Sequence, residues 1–284
     1  MNSETFDFGP VEVTVAVDAG PRILGFARLG GPQLFADLSD VVIEQEGAPF
    51  RFLGGHRLWR APEVPAVTYQ PDDVAVTIDR DGGRVSVTGP PDIHGVVKEI
   101  SLTQHGDRTV VDHRLRNTGD GAVTLAPWAI TALATGGVAV VPVSGDLADP
   151  DGALPNRSVA LWPYTDPDEV GFGADLLTIE ATSNPTRTKI GTQNRRGWLA
   201  YVLKDEVFVK WSPLHRVDAD YPDLGSSVEV YRDDRFIELE SLGPLVTLGP
   251  GEEVHHREVW AVFPADGADV VDIAASITED PMTQ

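Results

Sequence analysis

"SSVEVYRDDRFIELES", residues 226–241, decides how this chain folds. Apolar and polar residues alternate on both sides of Asp233-Asp234, the pattern of two antiparallel strands joined by a tight turn. With the turn at those two residues, Val230 pairs with Ile237, Glu229 with Glu238, Val228 with Leu239 and Ser227 with Glu240. Side chains alternate across a strand, so Val228, Val230, Ile237 and Leu239 share one face, as a core requires. Ser227, Glu229, Tyr231, Phe236, Glu238 and Glu240 collect on the other face. Glu238 and Glu240 then stand roughly 7 Å apart, at two rises of about 3.4 Å. Like charges facing one another in a sheet are unfavourable. Good solvation, a bound cation or polyol, or a carboxyl whose pKa its neighbours raise would each account for them.

The same alternation recurs outward in both directions. "VEVTVAV" (11–17), "RVSVTG" (84–89), "VKEISLT" (97–103), "TVVDHRLRN" (109–117), "WLAYVL" (198–203) and "EVFVKW" (206–211) all have strand character. Turn clusters such as Asp81-Gly82-Gly83 and Asn117-Thr118-Gly119-Asp120-Gly121 separate them. Only "DGADVVDIAASI" (266–277) carries a helical period, with Val270, Ile273, Ala274 and Ile277 on one face and Asp266 as the expected N-cap. The chain is therefore all-β, a large antiparallel sandwich with one short C-terminal helix. No linker-like stretch or internal repeat interrupts it, so residues 1–284 are expected to form a single domain. Residues 144–174, rich in Asp, Pro and Gly, read as a long loop over one rim.

Bulk properties narrow the function. The 44 acidic and 22 basic residues give a formal charge of −22, which argues against nucleic acid or an anionic membrane surface as partner. The absence of cysteine removes disulfide and thiolate chemistry. "MNSETFDFGP" does not have the build of a signal peptide, and no run reaches the roughly 18 apolar residues of a membrane span. A cytoplasmic location and a small, neutral or weakly charged ligand are the expectation. His255 and His256, adjacent in a strand, face opposite ways and cannot jointly hold a metal. Asp146, Asp149 and Asp151, or Asp218, Asp220 and Asp223, could offer oxygens to calcium, but neither set has EF-hand spacing. No metal site and no cofactor motif is read.

"FRFLGGHRLWRAPE" (50–63) gathers His56, Arg57, Trp59, Arg60 and Glu63 behind Gly54-Gly55. Polar groups beside an aromatic plane suit a sugar, whose hydroxyls need donors and acceptors and whose C–H face packs on a ring. A buried Trp with polar neighbours would look the same. Trp128 in "LAPWAIT" and Lys210-Trp211 in "VFVKWSP" are further apolar-plus-polar pairs in strands.

Three stretches resemble galactose mutarotase-like proteins, the superfamily of the aldose 1-epimerases: "DAGPRILGFARLGGPQLFADL" (18–38), "HRLRNTGDGAVTLAPWAITAL" (113–133) and "DDRFIELESLGPLVTLGPGEEVHHREVW" (233–260). "GGHRLWRAPE", "NRRGWLAYV", "FVKW", "YPDLGSSVEVY" and "ELESLGPLVTLGPGE" resemble most a branch of it that is a domain of unknown function. The resemblance implies a curved β supersandwich with a sugar cleft on its concave face. In the epimerases a glutamate takes the anomeric proton while a histidine protonates the ring oxygen. Leu239-Glu240-Ser241-Leu242 matches the element carrying that glutamate, which makes Glu240 the implied base. The family's His-Gly-Gly becomes Leu53-Gly54-Gly55-His56, leaving His56 as the implied acid, and its second histidine falls near Trp128. Arg57, Trp59, Glu63, Trp128, Lys210, Glu229 and Glu238 complete the expected substrate-binding set. Two functions follow: an aldose 1-epimerase-like isomerase working without a cofactor, or a carbohydrate-binding protein using the same cleft.

Overall fold

The computed structural model describes residues 1–45, 48–143, 153–214 and 218–277. Two antiparallel ten-stranded sheets pack face to face. The first runs in spatial order through Ser3–Asp7, Val11–Ala16, Arg22–Arg28, His56–Ala61, Val123–Ala134, Phe236–Leu242, Val228–Arg232, Thr188–Thr192 and Ala160–Leu161, with Val246–Leu248 also pairing to Val123–Ala134. The second runs through Gly171–Phe172, Leu176–Glu180, Val138–Pro142, Trp198–Leu203, Glu206–Trp211, Glu253–Pro264, Arg108–Asn117, Val96–His105, Arg84–Thr88 and Thr77–Asp81. A two-stranded ribbon, Asp37–Ile43 with Phe50–Gly54, stands apart from both.

Alternation sorts the apolar residues into three layers. Between the sheets lie Val13, Phe26, Leu58, Leu133, Val230 and Leu239 from the first and Leu102, Val111, Tyr201, Phe208 and Trp260 from the second. Phe26, Phe208 and Trp260 meet edge to face there, at centroid separations of 5.2–6.0 Å. On the outer face of the first sheet, Trp59, Trp128, Ile130 and Phe236 pack against Phe50 and Phe52 of the ribbon. On the outer face of the second, Trp198, Val207, Val209 and Trp211 are capped by Ile273 of the Val270–Ser276 helix.

The hairpin forms, but two residues out of the expected register. Glu229 faces Glu240, Val230 faces Leu239 and Tyr231 faces Glu238. The turn is longer because the Asp233 carboxylate accepts from the backbone N–H groups of Arg235 and Phe236, at 2.9 and 3.2 Å, and holds a wider loop. An even shift leaves every side chain on its expected face. The C-terminal helix also forms, with Val270, Ile273, Ala274 and Ile277 against the second sheet. Its N-cap is Asp269, not Asp266: Asp269 accepts from Val271 and Asp272 N–H, while Asp266 sits at φ 50° in the preceding turn. Within 153–174, short strands at Ala160–Leu161 and Gly171–Phe172 flank a 3-10 turn at Pro167–Glu169. Asp146, Asp149 and Asp151 lie outside the described residues. No helix among the described residues is long and apolar enough to cross a membrane.

Candidate functional site

A cavity of about 530 Å³ opens on the outer face of the first sheet, between that face, the ribbon and the 162–164 loop. Its floor is built by strand alternation. His56–Ala61 contributes Arg57 and Trp59, Val123–Ala134 contributes Trp128, and Phe236–Leu242 contributes Phe236 and Glu238. Val228–Arg232 adds Tyr231 and Thr188–Thr192 adds Lys189. Phe52 of the ribbon, Glu63, Tyr69, Trp162 and Tyr164 close the walls. The strand entering this floor turns through Leu53, Gly54 and Gly55, all at positive φ (62°, 78° and 66°). A Cβ on Gly54 would collide with the Ala36 carbonyl, and one on Gly55 with that of Ile23. The paired glycines thus let the ribbon lie directly against the sheet.

Two charge clusters organise the floor. In the first, Arg57 donates to Glu238 at 2.8 Å, and its guanidinium lies 4.4 Å from the Phe52 ring centre and 4.0 Å from that of Trp59. Burial pushes the Glu238 carboxyl upward from its usual range, and Arg57 opposes that shift. In the second, the Lys189 ammonium sits 2.6 Å from Glu229 and 3.0 Å from Glu240, with the Trp128 and Trp162 rings 4.9 and 4.8 Å away. Glu240 also accepts from the Trp128 indole N–H at 2.6 Å. Burial lowers the Lys189 pKa, but Glu240 and Glu229 together outweigh it and raise the net value. Glu229 is pushed well above the carboxylate range by burial, with Lys189 pulling the other way and Glu240 adding to the rise.

The sequence-derived candidates divide across the sheet. Arg57, Trp59, Glu63, Trp128 and Glu238 line the cavity, and Glu229 and Glu240 lie beneath it around Lys189. His56 and Lys210 do not reach it. His56 projects between the sheets, where it meets Thr131 Oγ1 through Nδ1 at 2.9 Å and His113 Nε2 through Nε2 at 2.8 Å, and its ring packs edge-on to Trp260. Lys210 is fully buried in the same layer, donating to the Ala129 and Leu239 carbonyls and to Thr131 Oγ1 and paired with Glu258 at 2.9 Å. His113 Nδ1 faces the His256 carbonyl at 3.0 Å, so that nitrogen carries its proton and Nε2 accepts from His56. His56 Nδ1 then accepts from Thr131. Both histidines are neutral, with pKa values lowered chiefly by burial. His56, His113 and Glu258 have ligand atoms within 4.8 Å of one another. Lys210, Ser241 and Trp260 already occupy Glu258, and the two imidazoles occupy each other, so the cluster closes on itself.

Sequence reasoning missed Lys189, Tyr69, Trp162 and Tyr164. A signal existed for the first: "TKIGT" (188–192) alternates, but it is short and holds a glycine. Gly191 is needed there, since a Cβ would collide with Ser226 Oγ and crowd Glu229. Trp162 and Tyr164 lie in a loop with no periodicity to reveal them.

No family model matches the chain, and no curated protein matches it. Solved structures do. A galactose mutarotase-like protein from Lactobacillus casei ATCC 334 superposes with a TM-score of 0.56 at 8% identity, over 92% of this chain and 100% of that one. A protein provisionally assigned as an aldose 1-epimerase, from Escherichia coli K12, superposes at 0.58 and 11% identity, over 93% and 99%. A TPR-domain containing protein from Parabacteroides distasonis ATCC 8503 superposes at 0.63 and 14% identity, over 98% of this chain and 48% of that one. At such identities the likeness speaks to architecture, and on that ground this chain has the galactose mutarotase-like β-sandwich fold.

Proposed function

We propose that the cavity on the outer face of the first sheet binds a saccharide. The observation that carries this is its lining: three tryptophans (Trp59, Trp128, Trp162) and three tyrosines (Tyr69, Tyr164, Tyr231) surround the Arg57–Glu238 pair in about 530 Å³. Flat rings meet the C–H faces of a pyranose, while a guanidinium and a carboxylate at one point supply donors and acceptors for neighbouring hydroxyls. Titration calorimetry against a panel of aldoses and their methyl glycosides tests it. Binding that Arg57→Leu weakens at least tenfold is expected; no heat with any sugar refutes it.

One observation favours a catalytic reading beside this one. Glu238 lines the cavity with one oxygen held by Arg57 and the other without a partner among the described residues, and its pKa is raised. It is better placed to accept an anomeric proton than Glu240, which is fully buried and does not line the cavity. The facing donor would be a phenol such as Tyr164, whose pKa burial pushes up to about 12, because His56 is on the other side of the sheet. This anomer-interconverting reading expects faster mutarotation by polarimetry or exchange NMR, lost in Glu238→Gln and retained in His56 variants. An unchanged rate with every aldose leaves binding alone.

A further inference from the structure

In the 223–225 loop, Leu224 holds a conformation that its side chain does not favour. Asp223 and Leu224 sit at φ/ψ of 51°/55° and 62°/29°, followed by Gly225 at φ 90°. Leu224 is 91% exposed. A left-handed leucine costs about 1–2 kcal/mol, and one this exposed gains nothing from packing. The loop is held in place from below: the buried Ser226 donates to the Pro222 carbonyl through its N–H at 2.9 Å and to the Asp223 carbonyl through its hydroxyl at 2.8 Å. Its neighbours fix Leu224 pointing outward.

Leu224 is not alone. With Leu161, itself 45% exposed, and Ala160, Trp162 and Pro163 it lines a shallow depression of about 170 Å³, where Asp223 is the only charged residue among the described residues. Trp162 belongs to this depression and to the saccharide cavity, and its ring lies 4.8 Å from Lys189 on the cavity floor. The two hollows therefore share one wall.

We propose that the natural ligand is a glycoside with an apolar aglycone: the sugar ring enters the cavity and the aglycone crosses Trp162 onto the Leu161–Leu224 shelf. This rests on the saccharide reading of the cavity and specifies it. Strained, exposed residues cluster at ligand sites, where the contact offsets a conformation that folding alone does not favour. The shelf's aliphatic lining offers a second sugar ring few partners for its hydroxyls, whereas an aryl or alkyl group needs none.

Calorimetry with matched methyl and phenyl glycosides of glucose, galactose, mannose and N-acetylglucosamine, on wild type and Leu224→Gly, tests this. Glycine takes the left-handed backbone without steric cost, so the variant keeps its fold. For whichever sugar binds, the phenyl glycoside should bind wild type about tenfold more tightly than the methyl glycoside. Leu224→Gly should cut that advantage to within about twofold and leave the methyl glycoside unchanged. Methyl and phenyl forms binding alike overturn the aglycone proposal while leaving the saccharide reading intact; binding of neither overturns both. A phenyl advantage retained in Leu224→Gly, a larger gain from a disaccharide that survives the substitution, or a wild-type dimer that Leu224→Gly dissociates assigns the shelf elsewhere and overturns it.

Discussion

Lys189→Met is the perturbation that most directly tests how the cavity floor holds together. The ammonium is the cation that Glu229 and Glu240 share, and those residues face each other directly across two strands at 1% and 0% exposure. Methionine keeps much of the stem's packing and removes the charge. Breaking a buried ion pair by deleting one partner costs about 3–5 kcal/mol, which for a chain of this length lowers Tm by roughly 6–20 °C. The loss should also depend on pH. A carboxyl whose folded pKa is raised stabilises fully below its unfolded value, near 4.5, and loses that contribution as pH rises through the folded pKa. Wild type carries this term on Glu229. In the variant the ammonium no longer holds that pKa down, so the fall, at most about 1.4 kcal/mol per pH unit for one proton, should continue to higher pH than in wild type. Urea titrations followed by tryptophan fluorescence between pH 5 and 8.5 measure both quantities. Adding Glu229→Gln to Lys189→Met should recover a large part of the loss at pH 8. A variant within about 1 kcal/mol of wild type at pH 8, with its decline ending at the same pH as that of wild type, would refute the shared-ammonium account.

Three further outcomes are expected. His56→Ala should cost about 2–4 kcal/mol through the broken Thr131–His56–His113 chain while leaving saccharide affinity within twofold, measured by urea titration and calorimetry; a large loss of affinity at unchanged stability would return His56 to the site. Because His56 and His113 have lowered folded pKa values, their contribution is complete above about pH 6.5 and is lost as pH falls below it, by up to about 2.7 kcal/mol per unit, so His56→Ala should flatten the acid limb of the stability profile. Leu224→Gly should raise stability by about 1 kcal/mol, read as a higher urea midpoint at constant slope; a lower midpoint would mean the loop is not strained.

Much of the fold could be read before the structure because period-two alternation is a local property. The hairpin faces and the division of His255 from His256 follow from it, as the C-terminal helix follows from the equally local 3.6-residue period: His255 is exposed beside Glu253, and His256 is buried against Ser241. Register was less legible, since it depends on a turn whose width is set by one carboxylate, that of Asp233, bonding to its own loop. The remainder of the site is tertiary. Lys189 reaches Glu240 across 51 residues of chain, and Arg57 reaches Glu238 across 181. Trp162 and Tyr164 become cavity walls only once their loop is laid over the sheet. Arg232 helps to hold that loop down, through its bond to Glu169 at 2.7 Å, and nothing in "VEVYRDD" marks it as an anchor.

His56 shows where alternation could have been pressed further. Adjacent residues of one strand cannot serve one face. If Arg57 and Trp59 contact a sugar, His56 must point the other way, and the sequence alone excludes the three from a common cleft. What alternation could not decide is which face of "HRLWRA" is the cleft. His56, Leu58 and Arg60 on one side, and Arg57, Trp59 and Ala61 on the other, each mix charge or imidazole with apolar bulk. The usual rule assigns the drier face to the core, and here the core is not dry. Between the sheets, Lys210, Glu258, His56, His113, Thr131 and Ser241 form a buried polar layer whose donors and acceptors satisfy one another. That mutual satisfaction is what makes such a layer tolerable at low dielectric, and it is also what removes His56 and Lys210 from any encounter with a ligand.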